Sequence, residues 1–304
     1  MTLSIVARCP STGELGVAVA SCVLAVGVRI PVAQAGVGAV AVQAHGWLHW
    51  RQSMLGALES GLSAAEAVEM HTVLPDAPES QFAAIGRTGP PGVFTGPDCV
   101  GSAGHAAADH VSAQANTMAS EAVWPVMLEA FQQHDGALAR RLVAALRAGD
   151  DAGGDYRGRQ SASVLVVSGD PTYTSTGDAD DPTVDLRVDD AADPVADLRR
   201  LLDVHDAHRE VIRSAMTADP EAAAAHLRRA GEIAPDDRVV APLRAIRLAL
   251  AGDVEQAEPL LRRAARINPS TGGWARRRAE AAVADGSPHG KALLNLLDRS
   301  GLPS

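Results

Sequence analysis

Lysine is almost absent from this sequence: of its 27 basic residues, only Lys291 is a lysine and the others are arginines. No side chain ahead of position 291 can therefore bring a primary amine to catalysis. Cysteine is scarce as well. Cys9, Cys22 and Cys99 form an odd, widely spaced set, which gives neither a disulfide framework nor a zinc knuckle. They read as free thiols in a reducing compartment. Missing too is any run near the roughly 18 uninterrupted apolar residues that mark a membrane-spanning helix. The start MTLSIVARCP has neither the charged nor the apolar segment of a secretory signal, so the expected location is cytoplasmic. Excess positive charge is lacking. The net charge is −10 and the arginines are set among Asp and Glu, whereas a phosphate-binding face needs clustered cations. Neither nucleic acid nor a membrane is expected as a partner. No GxSxG elbow or GxxxxGK[ST] loop occurs, and Gly36-Val37-Gly38 is too short for a dinucleotide fingerprint. No cofactor is expected.

What is present is enough apolar material, 46% of 304 residues, for two domains that each bury a core. Residues 3–8 and 15–20 are short apolar runs separated by the turn formers Cys9 to Glu14, which predicts a hairpin. Residues 37–43 predict a third strand. Their alanine and glycine content fits strands packed closely on both faces. Residues 50–73 read as helical, with Ser63-Ala64-Ala65-Glu66 as a capping box that opens a second helix. Residues 81–86 and 92–95 predict another hairpin, and 109–118 a strand and loop. Residues 120–146 have a helical period through Val123, Met127, Phe131, Leu138, Leu142 and Leu146, and 160–168 form a closing strand. This order fits two antiparallel sheets covered by helices or another α+β layout, which periodicity does not separate.

The expected domains are 1–168 and 194–304, joined by a linker at 169–193 with an edge strand at Val184–Val188. The tail repeats itself. ADPEAAAAHLRRAGEIAP at 218–235 aligns with GDVEQAEPLLRRAARINP at 252–269, an offset of 34. Gly286 lies the same distance beyond Gly252, which marks a third, degenerate unit. A period of 34 with small residues and a closing Pro resembles the tetratricopeptide repeat. So short an array is expected to lean on the first domain or on another subunit, and a homo-oligomer is expected.

Chemistry starts at Thr2. Methionine aminopeptidase removes Met1 when a small residue follows, and an N-terminal Thr holds nucleophile and base in one residue. With an α-amine pKa of about 7.7–8.0, roughly a tenth to a fifth of it is neutral at pH 7.

The segments T-L-S-I-V-A-R…T-G-E-L-G-V-A-V-A-S, A-V-G…P-V-A-Q-A-G-V-G-A-V-A-V-Q-A and G-G-D-Y-R-G-R-Q-S-A-S-V-L-V-V resemble a bacterial and archaeal family known only as domain of unknown function 1028. The resemblance covers residues 2 to about 190. It implies an N-terminal nucleophile (Ntn) hydrolase fold, a four-layer αββα sandwich related to proteasome subunits and acylases, without naming a substrate. The family's initial Thr falls on Thr2, its strand-end Gln on Gln43, its Gly-Gly-Asp on Gly153, Gly154 and Asp155, and its Arg-Gln-Ser on Arg159, Gln160 and Ser161. Where the family usually reads S-V-Q-G-N-M, this chain has Ala115 for glycine and an extra Thr117. Proteasome-type Ntn hydrolases place a lysine beside the nucleophile, and here none is available.

The expected catalytic residues are Thr2, Asp155, Ser161 and Asn116. Asp155 would orient the Thr2 amine, or else cap a turn. Gly153 and Gly154 would offer N–H groups to an anion. Ser161 begins a strand that would lie beside Thr2. Asn116 and Gln43 are neutral amides suited to an oxyanion or a substrate carbonyl, and buried bonding to backbone explains them equally well. Gln43, His45, Arg157, Arg159 and Gln160 are the expected substrate-binding residues, the arginines for a carboxylate or for surface ion pairs. A metal site at His45 and His49 is the weakest alternative, because no HExxH pattern is present. Two functions compete: an amidohydrolase of a small or peptide-like amide, and an inactive Ntn-like binding or scaffold protein that recruits a protein partner through residues 194–304.

Overall fold

The computed structural model describes residues 2–175 and 181–300. The elements run β1 (Thr2–Arg8), β2 (Leu15–Ser21), α1 (Val26–Arg29), β3 (Pro31–Gln34), β4 (Gly38–Ala44), α2 (Leu48–Glu59), α3 (Ala64–Thr72), β5 (Ser80–Gly86), β6 (Gly92–Thr95), β7 (Ser102–Ala108), β8 (Val111–Met118), α4 (Val123–Gln133), α5 (Leu138–Asp151), β9 (Ser161–Val167) and β10 (Val184–Val188). Six helices follow: α6 (Pro194–Met216), α7 (Pro220–Ile233), α8 (Val240–Leu250), α9 (Val254–Ile267), α10 (Thr271–Ala284) and α11 (Pro288–Ser300). These residues fall into two compact units, the first ending at Leu202 and the second beginning at Asp203, inside α6.

The first unit is mixed α+β and holds two antiparallel sheets, one of order β10-β9-β2-β1-β8-β7 and one of order β3-β4-β5-β6. Every residue of β1, β2, β5 and β8 is buried, as expected for strands covered on both faces. Alternation along each strand divides the packing. Val6, Leu15 and Val17 of the larger sheet share one core with Ala39, Ala41, Ala83 and Ile85 of the smaller. Leu3, Ile5 and Ala18 point the other way, onto Met127 and Phe131 of α4 and Leu142 and Leu146 of α5. On the smaller sheet, Val40, Val42, Phe82 and Ala84 pack outward against Trp50, Met54, Leu55 and Val68 of α2 and α3. Ser63 caps α3 through the expected box with Glu66.

Three features differ from expectation, and one expected strand is found. β3 and β7 are strands that the pattern did not mark. The helical stretch 120–146 is two helices, broken between Gln133 and Leu138. Residues 184–188 form the expected edge strand and pair with β9 along their whole length, completing the larger sheet; residues 176–180 of the expected linker lie outside the described residues. The first core also extends beyond position 193, through Val195, Leu198 and Leu202.

The second unit is helical. α7, α9 and α11 begin at Pro220, Val254 and Pro288, the spacing of the sequence repeat. Asp219 and Asp253 cap the first two, accepting from the N–H groups of Glu221 and Gln256. Pro235 and Pro269 follow immediately on the C-caps of α7 and α9. The core is built from Ile246 and Ala249 of α8, Leu261 of α9, Ala275 and Ala279 of α10 and Leu293 and Leu297 of α11.

Candidate functional site

The register of the larger sheet sets four polar residues in one transverse row at one end. Asn116 of β8 pairs with Thr2 of β1. The Thr2 hydroxyl donates to the Ser21 hydroxyl of β2 at 3.3 Å, and Ser21 pairs with Ser161 of β9. Alternation puts Thr2 on the face of Ser4 and Val6, and Val6 belongs to the core between the sheets. Thr2 therefore faces the smaller sheet.

From that sheet a chain of neutral amides meets it. Gln43 Nε2 of β4 donates to the Thr2 carbonyl at 3.2 Å, and Asn116 Nδ2 donates to the same oxygen at 3.4 Å. Gln81 of β5 ties the two together, its Oε1 accepting from Gln43 at 2.6 Å and from Asn116 at 2.9 Å. Gln81 Nε2 faces three acceptors: Thr95 Oγ1 and the Ala115 carbonyl at 2.9 Å, and the Gly104 carbonyl at 3.1 Å. Carbonyl and amide ends are thus distinguished by their partners. Behind Thr2, Ser4 donates to Gln43 Oε1 and accepts from Gln114 Nε2, both at 2.7 Å. Gln43, Gln81 and Gln114 are fully buried. Such a network is stable only when its members are satisfied, and it then fixes one geometry. Thr95 and Gly104 also line a surface cleft of about 450 Å³ with His105 and Trp124. The network therefore braces the wall of that cleft.

Asp155 closes the same end. After α5 the chain turns at Gly153 (φ 129°) and Gly154 (φ 52°), conformations open to glycine at little cost. Their N–H groups donate to the carbonyls of Asp150 and Gly149, which satisfies the helix end. These donors finish a helix and are not free for an anion, contrary to expectation. Asp155 then forms a bridge with Met118 at the end of β8, and its Oδ2 accepts from the Cys22 N–H, just past β2, at 3.3 Å. Since β1 lies between β8 and β2, Asp155 spans the point where the chain enters β1 at Thr2. Arg157 holds the carboxylate with Nε on Oδ1 at 3.1 Å and Nη2 on Oδ2 at 2.9 Å. Burial, followed by the Asp155 charge, pushes the nearby Cys22 thiol up from its ordinary pKa.

Two non-glycine residues of this end adopt positive φ: Ala44 (63°), next to Gln43, and Thr117 (60°), next to Asn116. Thr117 belongs to a β-bulge. Ser102 pairs with Met118 and Gly104 with Ala115, so Ala103 alone opposes Asn116 and Thr117. The extra residue is absorbed there, and the Asn116–Thr2 pairing is retained.

Thr2, Asn116 and Gln43 are thus brought together, with Ser161 two strands away and Asp155 across the strand entrance. Ser161 is engaged in structure: its Oγ donates to the Val23 carbonyl and accepts from the Val26 N–H. Arg159 pairs with Asp150 at 2.8 Å. The Gln160 side chain donates to Asp190 at 3.2 Å. His45 is exposed, lies ahead of α2 rather than on it, and meets Glu79 at 2.6 Å. It cannot share a helix face with His49. Among the described residues no group of three or more His, Cys, Asp or Glu is placed to hold a metal ion, and no helix is long and apolar enough to cross a membrane. Ser21 and Gln81 are additions that the sequence reading missed. Gln81 had one signal: it occupies an inward position in phase with Ala83 and Ile85.

Comparison with known proteins gives a consistent family. The model of the family of unknown function DUF1028 matches residues 2–198. The crystal structure of a Silicibacter pomeroyi protein carrying the same family model is similar, with 30% sequence identity and a TM-score of 0.59; the likeness covers 66% of this chain and 87% of that one. No curated protein matches.

Proposed function

The chain belongs to the DUF1028 family, and we propose that its first unit is an Ntn-type hydrolase of amide bonds, with Thr2 as nucleophile once Met1 is removed. One observation carries this reading. Thr2 opens a central strand, faces the space between two sheets, and has amide donors and a hydroxyl about it. The succession of helices, sheet, sheet and helices supports an αββα sandwich of the Ntn kind. The evenly spaced helix starts of the second unit support a tetratricopeptide-like array.

In this reading the Thr2 hydroxyl oxygen attacks the carbonyl carbon of a small or peptide-like amide, and its proton passes to the Thr2 α-amine. The C–N bond breaks as that proton moves to the leaving nitrogen. Water, deprotonated by the same amine, then hydrolyses the ester and restores the hydroxyl. Asp155 lies across the strand entrance to orient the protonated amine, and Arg157 holds the Asp155 carboxylate in place. The alternative, an inactive binding protein, draws on the lack of any lysine in this unit.

Intact mass and an electrophile selective for N-terminal Thr test the proposal. A chain lacking Met1, labelled once in the wild type and unlabelled in Thr2→Ala, is the expected result. Full retention of Met1, or equal amide hydrolysis by Thr2→Ala, would overturn it.

A further inference from the structure

The second unit contains a groove of about 610 Å³ between α7, α8, the start of α9 and α10. Its floor is apolar, with Leu227 and Ile246 almost wholly buried. Its rim is cationic: Arg228, Arg244, Arg247 and Arg278 line it against a single acid, Asp253. Asp253 is already committed to capping α9 through the N–H and side-chain amide of Gln256.

Elsewhere in this unit several arginines have acidic partners, while Arg238, Arg266, Arg277 and Arg299 have none among the described residues. Arg213 and Arg229 meet Glu210, Arg262 meets Glu258, Arg263 meets Asp236 and Arg276 meets Asp298. The groove gathers four arginines without an acidic partner among the described residues. Arg247 reaches the Ser214 carbonyl at 3.1 Å, while Arg228, Arg244 and Arg278 have no partner among the described residues. Nε of Arg244 is buried with no hydrogen bond. The arm of Arg244 lies on Gly231 of α7, where a Cβ would stand 2.4 Å from Nη1. The missing side chain is what lets it lie there. In a chain of net charge −10, four cations around an apolar floor mark a local reversal of potential, which favours an anionic partner.

We propose that this groove binds an acidic peptide segment of a partner protein, its carboxylates meeting Arg228, Arg244 and Arg278 and an apolar side chain resting on Leu227 and Ile246. The cations come from three helices and are separated by apolar surface. That arrangement suits an extended segment with several charges, whereas a lone phosphate would leave the floor uncovered. Arg forks recognise carboxylates in pairs of hydrogen bonds. This inference does not rest on the hydrolase reading.

The test is selection of random ten-residue peptides from a display library on the full chain, repeated on Arg228→Gln/Arg278→Gln. Both arginines are exposed, and thermal unfolding checks that the variant is folded. Enriched peptides are expected to carry two or more acidic residues beside an apolar one. A synthetic peptide from that pool is expected to bind about tenfold more weakly to the double variant, and more weakly with added salt. Thr2→Ala is expected to bind it unchanged. No enriched pool, a pool without acidic bias, or equal binding by the double variant would overturn the proposal. So would arginine-dependent binding to phosphatidylserine vesicles without a peptide pool, which would assign the surface to a membrane.

Discussion

The side-chain amide of Gln43, on the four-stranded sheet, donates to the main-chain carbonyl of Thr2, on the six-stranded sheet, across 3.2 Å. This bond joins the sheets at the candidate nucleophile, within a network of neutral amides. Gln43→Leu removes that donor and the acceptor of Ser4, leaving buried groups short of partners. A loss of about 1–3 kcal/mol is expected, read as a lower urea midpoint. Gln43→Glu is expected to cost more, because a carboxylate cannot donate to Thr2 or to Gln81. Midpoints equal to that of the wild type in both variants would show that the amide's donor end does not matter.

Asp155 and Arg157 form a second dependent pair. The Asp155 side chain is 3% exposed and takes two bonds from the Arg157 guanidinium. Arg157→Gln leaves that charge buried, and a loss of about 3 kcal/mol is expected. Adding Asp155→Asn removes the stranded charge and is expected to restore part of the loss, as a double-mutant cycle would record. If the second substitution worsens the first, the two side chains act separately.

Acid should weaken the second unit in a specific way. Burial alone would raise the Glu210 pKa, but hydrogen bonds from His226, Arg229 and Arg213 outweigh it and leave the group below its ordinary 4.5. Asp237 behaves alike: burial is outweighed by bonds from the Val240 N–H, His208 and the Val239 N–H, and it lies below 3.8. A carboxylate with a depressed folded pKa contributes stability above its unfolded pKa and loses it as pH falls through the folded value. Helical signal in thermal melts is therefore expected to lose stability as pH falls below about 4.5. Glu210→Gln should be weaker at neutral pH and lose less on acidification. An unchanged acid loss in that variant would reject Glu210 as a contributor.

These side chains differ in how readable they were. β1, β2 and β9 stand out by apolar runs between turn formers. β7, SAGHAAA, has no β-branched residue and lies half-exposed at a sheet edge, so propensity gives it little signal. The break after α4 was hidden by phase. Phe131 and Leu138 stand seven residues apart, two helical turns, so the apolar stripe continues across the interruption. At the site, Thr2, Gln43, Asn116 and Asp155 were reached through chemistry and family-like motifs. Ser21 and Gln81 were not, because a lone Ser or Gln in a strand looks like an outward residue until the facing sheet is known. Conversely, the side chains of His45 and Gln160 are bonded to Glu79 and Asp190, surface partners that sequence spacing does not reveal.

Thr117 offers the sharpest test of the backbone around the site. It is a β-branched residue at φ 60°, a conformation that penalises any Cβ by roughly 1–2 kcal/mol. Its hydroxyl donates to the Val100 carbonyl at 3.0 Å, which offsets part of that strain. Both Thr117→Ala and Thr117→Gly lose this bond, so their difference isolates the backbone. In an ordinary strand Gly is weaker than Ala. Here the order is expected to invert, with Gly more stable by about 1 kcal/mol. Because Asn116 keeps its pairing with Thr2 on the opposite edge of β8 from the bulge, relief at Thr117 should leave labelling of Thr2 unchanged. If Ala proves the more stable, the left-handed bulge is not what β8 adopts, and the placement of Asn116 against Thr2 loses its support.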